Sequence, residues 1–170
     1  MPTTEVYFIR HGIAEARHSG VSEAARSLTA KGVTRTQRVA QRLADLGLQF
    51  DALLSSPLVR AQQTAEILLA AGLASHVEDC PALSLEGELS DWLDWLANWQ
   101  HLEQSSDCPA IAIVGHEPNL SGWAQKLVTG QESDQWTLKK AGIIGLQLPA
   151  ASEAIGRSQL FWLSPPRFLL

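Results

Sequence analysis

Val6-Tyr7-Phe8-Ile9-Arg10-His11-Gly12 is the stretch on which the reading of this chain turns. Four apolar residues with high β-propensity stop abruptly at an arginine, a histidine and a glycine. A strand that is apolar on both faces belongs in the middle of a covered sheet, not at a solvated edge. The polar triplet then lies just past the strand's carboxyl end. In open α/β sheets that is where ligands bind.

The same pattern recurs farther along the chain. Ala110-Ile111-Ala112-Ile113-Val114 reads as the clearest buried strand; it ends at Gly115-His116, and Pro118 introduces a helix to about residue 128. Residues 51–55 form another short strand, ended by Ser56-Pro57 and followed by a helix over 59–71 that stops at Gly72. Thr29 is placed as the N-cap of a helix reaching residue 46 and closed by Gly47. Its Val33, Val39, Ala40, Leu43 and Leu46 recur at roughly helical spacing, leaving Lys31, Arg35, Arg38 and Arg42 for water. Ser90 is expected to cap a further helix carrying Trp92, Leu93, Leu96 and Trp99. Residues 73–88 read as irregular apart from a strand near Val77, and 143–148 and 160–163 as two closing strands. Alternating strands and helices imply an α/β fold of three layers, α/β/α, around a mostly parallel central sheet, with residues 1–170 as a single domain.

Composition narrows the function classes. The chain has 170 residues, 45% of them hydrophobic, which suffices for one core. Its net charge of -5 gives no general attraction to nucleic acid or to an anionic membrane. Every apolar run is interrupted by polar residues before it reaches spanning length, and no basic leader precedes the first strand, so the expected compartment is the cytoplasm. Cys80 and Cys108 stand too far apart for a zinc knuckle and are read as inert.

The three strand ends carry residues whose chemistry converges. Arginine offers a planar fork of donors suited to phosphate, which gives Arg10 and Arg60 a common purpose. Arg60 would lie in the first turn of a helix, where the macrodipole disfavours a cation unless an anion is bound nearby. A histidine with one ring nitrogen held by a carbonyl can present the other as a nucleophile at neutral pH, which suits His11. Gly12 lets the backbone turn or approach a ligand closely. His116 would add a donor beside the same anion, and Asn119 would either donate to phosphate or cap its helix. Taken one at a time, each has a bland alternative as a surface cation or a strand-end histidine.

Together the segments resemble a known family. Tyr7-Phe8-Ile9-Arg10-His11-Gly12 is similar to the signature of the histidine phosphatase superfamily, the group containing phosphoglycerate mutases and acid phosphatases. Ser55-Ser56-Pro57 through Arg60-Ala61-Gln62-Gln63-Thr64-Ala65 resembles that family's second phosphate-pocket motif, and Val114-Gly115-His116 its third. Arg26-Ser27-Leu28-Thr29-Ala30-Lys31-Gly32 resembles its entry to the first long helix. Chain length, the Gly115-His116-Glu117-Pro118-Asn119 pattern and the short 73–109 segment are closest to the SixA-type phosphohistidine phosphatase branch.

The resemblance implies a phosphoglycerate mutase-like fold and a metal-independent phosphatase with no cofactor. His11 would attack phosphorus to give a phosphohistidine intermediate, with Arg10, Arg60 and His116 holding the phosphoryl oxygens. The implied partner is a histidine-phosphorylated signalling or phosphotransfer protein. Alternatives are a small phosphomonoester, such as a sugar phosphate or nucleotide, or a phosphate-binding module with little turnover. Glu86 and Glu88 lie where longer relatives place a proton donor, although no motif singles either out.

Overall fold

A computed structural model describes residues 3–103 and 106–170. Six strands form one sheet: β1 (Thr4–Arg10), β2 (Ala52–Ser55), β3 (Glu78–Asp79), β4 (Ala110–Gly115), β5 (Ile143–Leu148) and β6 (Gln159–Ser164). Their order is β3-β2-β4-β1-β5-β6. The first four are parallel to one another, and β5 and β6 close the sheet antiparallel. The helices are α1 (Ala30–Asp45), α2 (Val59–Ala70), α3 (Leu89–Leu102) and α4 (Asn119–Thr129).

Strand alternation sorts side chains into two cores. Val6 and Phe8 of β1, with Ile111 and Ile113 of β4, pack against α3 and α4 through Trp92, Leu96, Leu120 and Leu127. Tyr7, Ile9, Ala112 and Val114 point the other way, to Val39 and Leu43 of α1 and Ala61, Ala65 and Leu68 of α2. This is the expected three-layer α/β fold with a mostly parallel sheet. All six tryptophans belong to these cores or pack near them: Trp92 and Trp123 stack at 6.3 Å, and Trp162 lies edge-on to Tyr7.

Local chemistry explains most element boundaries. The Thr29 hydroxyl accepts the Gly32 N–H at 2.9 Å, as an N-cap does, and Gly47 follows the helix with a φ of 81°. Two expectations need correction. Helix α3 begins at Leu89, one residue before Ser90, and Glu88 at its N-cap makes no side-chain cap bond. The buried stripe of α1 is also rotated: Val33 is only half-buried and Leu46 is exposed, whereas Gly32 and Thr36 are buried. The rotation has a steric cause. Gly32 lies so close to the loop after β1 that a Cβ there would meet the Ile13 carbonyl oxygen at 2.0 Å. That contact seats the start of α1 directly beneath the loop carrying His11.

Candidate active site

Adjacent strand ends bring the histidines together. Arg10 at the end of β1 pairs with Gly115 at the end of β4, and the His11 N–H donates to the Gly115 carbonyl at 3.1 Å. The rings of His11 and His116 consequently sit 5.2 Å apart, centre to centre. Arg60 comes from the first turn of α2 and is 2% exposed, although it is an arginine. Its Nε donates to His11 Nε2 at 3.3 Å. Arg10 donates from Nη1 to the Leu138 carbonyl at 3.0 Å. These four expected side chains line one cavity of about 240 Å³ at the carboxyl edge of the sheet.

Hydrogen bonding fixes the tautomer of His11. Its Nδ1 lies 2.7 Å from the Gly12 carbonyl, which can only accept, so Nδ1 carries the proton and Nε2 the lone pair. Burial holds its pKa down at about 3, with the charges of His116, Arg60 and Arg10 adding to the effect. His116 is likewise held down at about 4, first by burial and then by Arg60. Both imidazoles are neutral at pH 7, and the His11 lone pair is available without a base.

Ser56 orients the second histidine. Its Oγ lies 2.7 Å from His116 Nε2 and accepts the Leu58 N–H at 3.3 Å. The arrangement that leaves no hydroxyl hydrogen idle has Ser56 donate to Nε2, placing the His116 proton on Nδ1. That Nδ1 is buried and has no partner among the described residues, and the same holds for Arg10 Nε and Arg26 Nε. All three belong to residues lining the same cavity. Buried polar atoms without partners are rare in folded proteins, and three of the five found among the described residues gather around this pocket, a lining that suits an anion with several acceptor oxygens.

Other expected residues have different roles. The Gly12 N–H donates to Thr64 Oγ1 at 3.0 Å, and an added Cβ would meet Thr36 Oγ1 at 2.3 Å. The close approach is to α1. Asn119 does not line the cavity; its side chain donates to the carbonyls of Ser84 and Leu85, both at 3.2 Å. It anchors the preceding loop instead of capping α4, whose first turn is tied by Glu117 accepting from the Ser121 N–H at 2.9 Å. Glu86 and Glu88 line a neighbouring cleft, while Leu85 lines both that cleft and the His11 cavity.

Several residues went unrecognised from sequence. Glu23 receives Arg60 Nη2 at 2.9 Å, Arg26 Nη2 at 2.8 Å and Arg17 Nε at 3.1 Å, and its backbone carbonyl takes Arg60 Nη1 at 2.7 Å. The Arg26 hydrogen bond, with the nearby charges of Arg60 and Arg17, holds the Glu23 carboxyl below its ordinary range. Thr64 bonds both to Gly12 and to the Arg60 carbonyl, at 2.8 Å for the latter. Its position four residues after Arg60, on the same helix face, was the available signal. Arg17, Arg26 and Lys140 complete the cavity's lining of cations. Among the described residues, no group of three or more His, Cys, Asp or Glu side chains is gathered as a metal ion would require. Nor is any described helix long and apolar enough to cross a membrane.

Comparison with known proteins agrees with this geometry. The histidine phosphatase superfamily (branch 1) matches residues 6–101. An uncharacterised protein of Picosynechococcus sp. is 46% identical over 167 residues, covering 98% of this chain and 99% of that protein. The protein histidine phosphatase SixA, solved with tungstate, superposes with a TM-score of 0.81 at 23% identity, covering 98% of this chain and 99% of that one. Phosphoserine phosphatase from Entamoeba histolytica, solved with 3-phosphoglyceric acid, gives 0.66 at 19% identity, over 98% of this chain and 100% of that one. The two structures share the fold; the family match covers more than half of the sequence and the Picosynechococcus relative nearly all of it. The chain belongs to the histidine phosphatase superfamily.

Proposed function

We propose that this phosphatase removes the phosphoryl group from phosphohistidine on a signalling or phosphotransfer protein, in the manner of the SixA-type branch, through a covalent intermediate on His11. The observation that carries the reading is the His11 Nε2 lone pair, free of its proton, beside three buried donors that have no acceptor among the described residues. A phosphoryl group supplies both an electrophile for the lone pair and oxygens for the donors.

In the first step a bond forms from His11 Nε2 to phosphorus while the bond to the substrate's ring nitrogen breaks. A substrate imidazole protonated on its other nitrogen leaves neutral, so the protein need not supply a proton. Water then attacks phosphorus, the His11 bond breaks, and inorganic phosphate departs. Arg60 Nε–H, which rests on Nε2 in the free enzyme, turns to a phosphoryl oxygen as Arg10 and His116 take the others. Removing one such donor commonly costs about 10²–10³ in kcat.

Two features favour phosphohistidine over a small phosphomonoester. Glu86 and Glu88 line another cleft, and Glu117, which lines this cavity, is held by the Ser121 N–H and hydroxyl, so none of the three is presented free to an alkoxide leaving group. The cavity of about 240 Å³ has room for a phosphorylated imidazole side chain, with the rest of a substrate protein left outside on the surface. The pocket's surplus of cations repels a divalent ion, so the proposed reaction is metal-independent and needs no cofactor. We place it in the cytoplasm, where phosphotransfer proteins act.

The test is incubation with a radiolabelled phosphohistidine protein and a panel of phosphomonoesters, with and without a chelator. Acid-labile, alkali-stable label is expected on the wild type and not on His11→Ala, with unchanged turnover under chelation. Faster turnover of a monoester would move the substrate to the small-molecule class. Absence of both label and phosphate release would leave a phosphate-binding module.

A further inference from the structure

The cavity holds more positive charge than one phosphoryl group uses. Arg10, Arg17, Arg26, Arg60 and Lys140 line it, with Glu117 among them and Glu23 bound to three of the arginines. Five cations against two carboxylates leave three positive charges in excess, and a phosphoryl dianion neutralises two. The chain as a whole carries -5, so this local surplus opposes the overall balance.

The cations least engaged stand at the lip. The Arg17 side chain is 76% exposed and holds Glu23 through Nε alone, leaving both Nη nitrogens without a protein partner among the described residues. Lys140 is exposed and makes no ion pair among the described residues. Neither hangs on a loose segment. Arg17 follows Glu15, whose N–H bonds the Ser27 carbonyl at 2.9 Å and whose own carbonyl takes Arg26 Nη1 at 2.7 Å. Lys140 precedes Ala141, a non-glycine residue at a φ of 61°, whose N–H reaches the carbonyls of Arg10 at 3.0 Å and His11 at 3.2 Å. A left-handed alanine is unfavourable on its own and persists where surrounding bonds impose it. Here the imposed turn presents Lys140 beside the residue that bears the nucleophile.

We propose that Arg17 and Lys140 form a second anion subsite, selecting substrates that carry a carboxylate next to the phosphoryl group. The inference rests on the phosphoryl-pocket reading and narrows it. On a protein the carboxylate belongs to an acidic side chain flanking the phosphorylated residue; on a small molecule it belongs to a phosphorylated acid. Two exposed cation–carboxylate pairs together give about tenfold in affinity.

Calorimetric titration with phosphonoacetate and with ethylphosphonate tests this without turnover. The wild type is expected to bind phosphonoacetate about tenfold more tightly. In the Arg17→Gln/Lys140→Gln variant the two affinities should converge. Equal affinities in the wild type, no binding of either compound, or a preference that survives in the variant would overturn the subsite. Turnover separates the two sources, using phosphohistidine peptides with flanking Glu or Gln, and phosphoglycolate against ethyl phosphate. A kcat/KM preference in either pair supports the subsite and names its source; none in both overturns it. Loss of all turnover with the phosphonate preference intact would instead reject the phosphatase reading and keep the subsite.

Discussion

Gly32→Ala, a single methyl group remote from the chemistry, should damage both stability and turnover. An alanine Cβ at this position would lie 2.0 Å from the Ile13 oxygen, 2.9 Å from its carbonyl carbon and 3.1 Å from its nitrogen. These are backbone atoms, so no rotamer change relieves them. Restoring ordinary contact requires helix α1 and the 12–14 loop to separate by more than about 1 Å. The loop is tied at both sides: Thr29 N–H bonds the Ile13 carbonyl at 2.9 Å, and Gly12 N–H bonds Thr64 at 3.0 Å. Overpacking of this kind costs about 1–3 kcal/mol, which for a chain of this size lowers Tm by roughly 5 °C. The displaced loop also carries the Gly12 carbonyl that holds His11 Nδ1 at 2.7 Å. A nucleophile misplaced by about 1 Å loses on the order of 10²-fold in rate. Thermal unfolding and single-turnover transfer to His11 should both be measured. A variant that keeps wild-type Tm and wild-type transfer would refute the claim that this helix positions the nucleophile.

Three further outcomes follow from the site. Ser56→Ala leaves His116 Nε2 buried without its donor, so turnover should fall by about 10-fold or more as the ring changes tautomer, while Ser56→Thr retains most activity; steady-state kinetics decide it. Glu23→Gln keeps the hydrogen-bond acceptors on Arg60 and Arg26 but removes a negative charge that repels the incoming dianion. Tungstate or phosphate should then bind about tenfold more tightly, as read by calorimetry, and weaker binding would contradict the role assigned to Glu23. Stability should depend on pH through the two histidines. Their folded pKa values, about 3 and about 4, lie below the ordinary 6.5, so the unfolded chain binds protons that the native state does not. Their contribution is complete above pH 6.5 and is lost as pH falls from there towards 4 and then 3. Denaturant titrations of the wild type and of His11→Asn/His116→Asn should show a smaller acid loss in the variant; equal losses would mean that other groups control it.

What was legible in the sequence is what depends on short-range chemistry. A covered strand that breaks off at a charged residue is a local pattern, and it placed Arg10, His11 and His116 at one sheet edge. The Thr29 cap and the left-handed Gly47, Gly72 and Gly130 are equally local, although Gly130 was not singled out. The rest required contacts between distant segments. No spacing shows that Glu23 meets Arg60, because that contact depends on how residues 15–28 lie over the second helix. Glu86 and Glu88 follow Leu85 in sequence but face a different cleft, a distinction set by the path of an irregular loop. The buried stripe of α1 missed Thr36 because helical periodicity finds apolar residues, whereas this face is buried by close backbone approach at Gly12 and Gly32.

The cationic pocket and the neutral His11 imidazole are two sides of one arrangement. A histidine beside phosphate in water would tend to protonate near pH 6.5 and lose its lone pair as the dianion arrived. Here burial, reinforced by the charges of Arg60 and Arg10, makes an imidazolium at His11 costly and keeps Nε2 available. Arg60 would repel the neighbouring Arg17 and Arg26 if left bare, and Glu23 offsets this by accepting from all three guanidinium groups at once. It also orients Arg60. With Nη1 on the Glu23 carbonyl and Nη2 on its carboxylate, the guanidinium plane is held so that its Nε–H rests 3.3 Å from His11 Nε2, the proposed attacking atom. The carboxylate's charge and its geometry therefore act in opposite directions on catalysis. Glu23→Ala removes the charge and the side-chain acceptor, leaving only the backbone carbonyl on Arg60, so its kcat should fall even if its affinity for the anion rises, whereas Glu23→Gln removes the charge and keeps an acceptor for Arg60 Nη2. If the two variants behave alike, orientation of Arg60 by Glu23 contributes nothing, and the field of the arginines is sufficient by itself.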